Sequence, residues 1–147
     1  MKLNKPLIRK MIKRLETNPE SYEQSTYLTE IDERAAREIF NRPAPRCGSV
    51  QCLGGDAIIC AERSVRRGLE ALNRLVNMPG KADFYHVRDR AQELTGLPAN
   101  IFHATADGWP APFERQWRKA ATYKGKSRAA INLLRAILKT DGKILEQ

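Results

Sequence analysis

The chain has 147 residues and 16.7 kDa, is 41% hydrophobic and 29% charged, and so is long enough for a substantial core and not compositionally disordered. One domain spanning 1–147 is expected. Its longest apolar run, Ala57 to Ala61, falls far short of the ~20 residues that cross a bilayer. The opening MKLNKPLIRKMIKR lacks the apolar core of a secretory signal, and three cysteines are too few to staple a small secreted fold, so a cytoplasmic protein with no membrane partner is expected.

From Lys5-Pro6, the residues Leu7, Ile8, Met11, Ile12 and Leu15 form a one-sided apolar stripe with Arg9, Lys10, Lys13 and Arg14 opposite, and Asn18-Pro19 ends this first helix. Residues 20–40 turn acidic, and EIDERAAREIF reads as a second helix of mixed charge. The loop NRPAPRCGS delivers the chain into a long helical pattern, VQCLGGDAIICAERSVRRGLEALNRLV, in which Gly54-Gly55 points to a close helix crossing. Asn77 to Gly80 breaks it. Phe84, Val87, Ala91 and Leu94 mark the next helix, ending near Gly96, and a short turn follows around Ala99 to His103. After ATADGWPAP, Phe113, Trp117, Ala120 and Ala121 line one face of a helix that Gly125 is expected to break. The last helix carries Ala130, Ile131, Leu134, Ile137 and Leu138, with Gly142 as its C-cap. No window alternates at period two over a strand length, so the fold class is all-α, a compact bundle of about five or six helices.

The excess charge, +9 with a pI near 9.8, is concentrated at the two ends. Residues 1–15 hold six Lys or Arg and no acid, and Arg115 to Lys143 holds nine against the single acid Asp141. On the last helix Arg128, Arg135 and Lys139 share one side. Such a face attracts polyanions by Coulomb attraction and counterion release, so nucleic acid or a nucleotide is the expected partner, an acidic protein the other. The candidate ligand-binding residues are Arg115, Arg118, Lys119, Lys124, Lys126, Arg128, Arg135 and Lys139, with Trp109 and Tyr123 at loop positions offering stacking surface, and the N-terminal helix is expected to share the same basic surface. Phe113 and Trp117, an i,i+4 pair on the apolar stripe, read as core.

The most distinctive stretch is Arg46-Cys47-Gly48-Ser49-Val50-Gln51-Cys52-Leu53-Gly54-Gly55, at the entry to a helix. It resembles a motif of small bacterial and bacteriophage proteins in which Cys-Gly-Ser or Cys-Gly-Thr, two residues, Cys, a hydrophobic residue, Ala or Gly, and Gly open a helix. The similarity runs on through Leu94 to Leu97, Ile101-Phe102, Trp109-Pro110 and the closing amphipathic helix. Asp56 departs from it, standing where that group commonly has Trp or His, and 62–81 is longer. The resemblance implies a mobile-element or phage-like accessory protein with an inhibitory or defence-related role, and brings no catalytic residues.

Other chemistries fit less well. Cys47, Cys52 and Cys60 with His86 or His103 do not match the spacing of common structural zinc sites, so no metal is expected and buried thiols are the plainer reading. Cys47 beside Arg46 at a helix entry suits a lowered thiol pKa, leaving a cysteine-dependent enzyme as an alternative if the fold supplies a histidine. The papain-type signature beginning Cys-Gly-Ser is not completed here. A helix-turn-helix over Arg90 to Ile101 has its glycine misplaced and no Lys or Arg in the second helix. No phosphate-binding Gly-rich loop or dinucleotide fingerprint is present, so no cofactor is expected. A protein–protein interaction module is the remaining alternative.

Overall fold

A computed structural model describes residues 2–17, 53–76, 83–103 and 106–146. The described residues form six α-helices and two short 3₁₀ turns, without a strand: α1 (Lys5–Thr17), α2 (Leu53–Ala61), α3 (Val65–Val76), α4 (Asp83–Thr95), a turn at Ala99–Phe102, α5 (Ala111–Lys119), α6 (Tyr123–Thr140) and a closing turn at Lys143–Glu146. The all-α class is as the periodicity indicates. The helix expected within 20–40 lies outside the described residues.

Helix α1 starts where Asn4 caps it, its Oδ1 accepting from the Leu7 amide at 3.2 Å. The stripe of Leu7, Ile8, Met11, Ile12 and Leu15 is buried. Helix α2 is covered on every side, with Leu53 to Cys60 all buried, and so runs through the middle of the molecule against α1, α3 and α4. Gly54 and Gly55 are among these buried residues. Helix α6 packs on α1 and α5, and its Ala129, Ala130, Ile131, Leu133, Leu134 and Ile137 join the same hydrophobic cluster as α1 and α2.

Two boundaries differ from the expectation. The long helical pattern through 50–76 is broken at Glu62 to Ser64, because the Ser64 hydroxyl accepts from the Arg67 amide and starts α3 in a new direction. Gly68 then lets α3 cross α2 closely, since a Cβ there would meet Ile59 Cα at 2.6 Å. At the second boundary Gly125 does not separate α5 from α6. The break falls at Ala120 to Thr122, where the Thr122 hydroxyl accepts from the Gly125 amide at 3.1 Å and caps α6. Gly96 does end α4, with φ +75, its amide bonded to the Gln92 carbonyl at 2.9 Å. The segment before α1 crosses it so closely that a Cβ would lie 2.1 Å from the Lys2 carbonyl oxygen.

Candidate nucleic-acid interface

Helix α6 buries one side and presents the other. Lys124, Arg128, Arg135 and Lys139 are all exposed. At about 100° per residue they fall within an arc of roughly 60°, and at 1.5 Å per residue the row runs ~22 Å along the axis. Three features of the sequence produce it: apolar residues every three or four positions fix the buried side, Thr122 fixes the start, and Asp141 with Gly142 in left-handed conformations fixes the end.

Two helices flank the row. On one side α1 runs beside α6, tied by Ser127 Oγ donating to the Leu15 carbonyl at 3.3 Å, by Lys5 against Asp141 at 2.9 Å, and by an ion pair of Arg135 with Glu16. Arg9 lies between Lys5 and Glu16 on that line of α1 and is exposed, without an ion pair among the described residues. Contact with Lys5 holds the Asp141 carboxyl below its ordinary range. On the other side Asn132 of α6 donates to Gln116 of α5 at 3.2 Å, and Lys119 follows Gln116 by one turn, exposed on that flank.

The expected ligand contacts divide accordingly. Lys124, Arg128, Arg135 and Lys139 come together, with Lys119 beside them, while Arg115 is exposed farther round α5. Arg118 is turned away, its guanidinium bonded to Glu114 at 2.9 Å and to Asp107, contacts that raise its pKa. Lys126 serves the fold: its Nζ donates to the Trp117 carbonyl at 3.1 Å and sits 3.7 Å over the Trp117 ring. Trp109 lies inside the fold and not on the exposed face. It is only 5% exposed, its Nε1 donates to the Ile101 carbonyl at 3.1 Å, and it has no face for a base to stack on. Its place after a proline-rich loop read as surface, but the loop folds this side chain inward. The Tyr123 side chain lies outside the described residues. Trp117 is buried and Phe113 half-buried, as the apolar stripe indicates.

The cysteine chemistry is reached only at Cys60, since Cys47 and Cys52 lie outside the described residues. Cys60 is buried, and burial together with the neighbouring Asp56 carboxyl pushes its thiol far up, so it stays protonated and unreactive at neutral pH. Asp56 itself is 3% exposed and faces Arg14, whose Nε is 3.0 Å from its Oδ1. Burial raises the Asp56 carboxyl to about 7, with Arg14 pulling the other way. Among the described residues no group of three or more His, Cys, Asp or Glu side chains is placed to hold a metal ion. The helix-turn-helix reading loses its second helix, because Ala99–Phe102 is a single 3₁₀ turn with Ile101 and Phe102 buried. No described helix is long and apolar enough to cross a membrane.

The row on α6 and the contribution of the N-terminal helix to the basic surface were legible in the sequence, but that α1 lies directly beside α6 was not, because helix neighbours cannot be read from periodicity. The Arg14–Asp56 pair had a signal: an aspartate inside the apolar run Leu53 to Ala61 can be buried only with a partner. No family model, curated protein or solved structure matches the chain, so the resemblance at Cys47 to Gly55 gains no support from them and the functional reading rests on this geometry.

Proposed function

We propose that this protein is a non-catalytic binding module that holds an extended polyanion of nucleic-acid type across α6 and its α1 flank. The observation that carries this reading is the row of Lys124, Arg128, Arg135 and Lys139 on one exposed side of α6. Its length of ~22 Å matches about six base-pair steps at 3.4 Å each, so it suits a polymer backbone better than one nucleotide. Arg9 and Lys119 widen it on either side. The Arg135–Glu16 pair is exposed and correspondingly weak, which leaves Arg135 able to turn to a phosphate.

Both tryptophans are buried, so the contacts assigned here are those of the exposed cations to phosphates, with little sequence preference. Duplex, which carries the denser backbone charge, is the favoured form. A mobile-element or phage-derived accessory role, including interference with host defence, is the setting that the Cys47 to Gly55 resemblance implies.

Fluorescence anisotropy with a labelled duplex, a single strand of the same sequence and a labelled mononucleotide tests the proposal, with the triple variant Lys124→Ala, Arg128→Ala, Lys139→Ala beside the parent. Duplex is expected to bind tightest, and the variant to lose at least tenfold while melting at the parent's temperature. Equal binding by parent and variant, or no binding to any of the three at low salt, would refute it. An acidic protein as the true partner would show up as that second result.

A further inference from the structure

We propose that the cleft between α1 and the α2–α3 junction is a second, smaller anion site, one that takes a phosphate or phosphomonoester group. It goes beyond the α6 reading and does not depend on it.

Lys10, Lys13, Arg14 and Thr17 follow one another at i, i+3, i+4 and i+7 on α1, and so share one side of that helix. This side lies about a third of a turn around the axis from Lys5, Arg9 and Glu16, which border α6. Opposite it stand Ile59, Cys60, Glu62, Arg63, Ser64 and Val65, and together they line an open cleft of about 300 Å³. That volume is at the small end of ligand pockets, enough for a phosphate and a small attached group, and no duplex would fit inside.

The charges in the cleft are arranged for an anion. Lys10 Nζ donates to the Cys60 carbonyl at 3.0 Å, which fixes the ammonium at the wall and leaves two more N–H donors on it. Arg14 is held by Asp56 from beneath, which positions its guanidinium. Lys13 and Arg63 are exposed, with no ion pair among the described residues. Glu62 is the one carboxylate among the lining side chains, against Lys10, Lys13 and Arg63.

The far wall adds to this. Ser64 caps α3 with its hydroxyl engaged to the Arg67 amide at 3.2 Å, so Ser64 and Val65 bring the positive end of a 12-residue helix to the cleft. Several converging donors and a surplus of positive charge match the dianionic, three-oxygen head of a phosphate better than a carboxylate.

The experiment uses the full chain, ¹⁵N-labelled, titrated at constant ionic strength. The ligands are inorganic phosphate, adenosine 5′-monophosphate, adenosine, and a short oligonucleotide with either a 5′-phosphate or a 5′-hydroxyl. Saturable shifts are expected at the amides of Ser64, Val65 and Arg66 with the phosphate-bearing ligands and not with adenosine. Inorganic phosphate as the tightest binder would identify the free ion, the monophosphate a nucleotide, and the 5′-phosphorylated oligonucleotide a strand end. The double variant Lys13→Ala, Arg63→Ala, whose two side chains are exposed, should weaken binding about tenfold or more while keeping a parent-like spectrum. Lys13→Gln, which keeps the length and removes the charge, should show the same direction. The α6 triple variant should leave these shifts unchanged, so failure of one site is visible apart from the other. The proposal is overturned if phosphate gives no saturable shift there, if chloride reproduces the shifts, or if the double variant binds as tightly as the parent.

Discussion

Replacing Gly68 by alanine sets two effects of opposite sign against each other. Alanine in the interior of α3 gains about 1 kcal/mol of helix propensity over glycine. The new Cβ would lie 2.6 Å from Ile59 Cα and 2.9 Å from the Ile59 carbonyl oxygen, against the 3.4 Å at which ordinary contact begins. Both atoms are backbone of the central helix, so no side-chain rotation relieves the clash and the α2–α3 crossing must open by several tenths of an ångström. Overpacking of this kind costs typically about 1–3 kcal/mol, and because backbone must move here the upper part of that range, about 2–3 kcal/mol, applies, so the net expectation is a loss of about 1–2 kcal/mol. At roughly 2–4 °C per kcal/mol for a chain of this size, the melting temperature should fall by about 2–8 °C. Opening the crossing also carries Ser64 away from Lys10, so phosphate binding in the cleft should weaken with stability. Thermal melts by circular dichroism decide the first part. A rise in melting temperature, as propensity alone would give, would refute the close α2–α3 crossing at Gly68.

Trp109→Phe removes the Nε1 donor and leaves the buried Ile101 carbonyl without it, which should cost about 1–3 kcal/mol in urea unfolding. Duplex affinity, measured under conditions where the variant is folded, should stay within about twofold, and a large selective loss would return Trp109 to the ligand. Asp56→Asn tests the buried pair through pH. Because the folded carboxyl titrates at about 7 against an ordinary 3.8, its contribution is fully present below pH 3.8 and is lost as pH rises towards 7. The stability of the parent minus that of the variant should therefore fall across this window, by up to about 4 kcal/mol at 1.36 kcal/mol per pKa unit. A flat or rising difference would show that Asp56 is ionised throughout.

The helices were readable wherever one side had to be buried. The stripes of α1 and α6 state their own orientation, and the exposed row on α6 follows because cations occupy the positions the apolar residues leave. Gly96 was readable for a different reason, as a residue free to take the positive φ that ends α4. Misreadings came where a local cap overrode periodicity: Ser64 splits a continuous helical pattern, and Thr122 starts α6 before Gly125 can end α5. Trp109 shows a third kind of limit, since a tryptophan in a loop is turned inward by a carbonyl, Ile101, that only the folded chain places within reach. The cleft beside Arg63 was illegible because its two walls are 42 residues or more apart, from Thr17 to Ile59. Lys10 and Lys13 looked like an ordinary solvated face until α3 began next to them.

The slope of duplex affinity against salt tests the central claim most directly. Each phosphate neutralised contributes about −0.9 to the slope of log affinity against log salt, so the four cations of α6 alone predict a slope of about −3.6, and the same four with Arg9 and Lys119 about −5.4. Removing Lys124, Arg128 and Lys139 should reduce its magnitude by about three, with weakening roughly uniform across duplex sequences. A parent slope near zero, or one that the triple variant leaves unchanged, would contradict the assignment of this face to a polyanion.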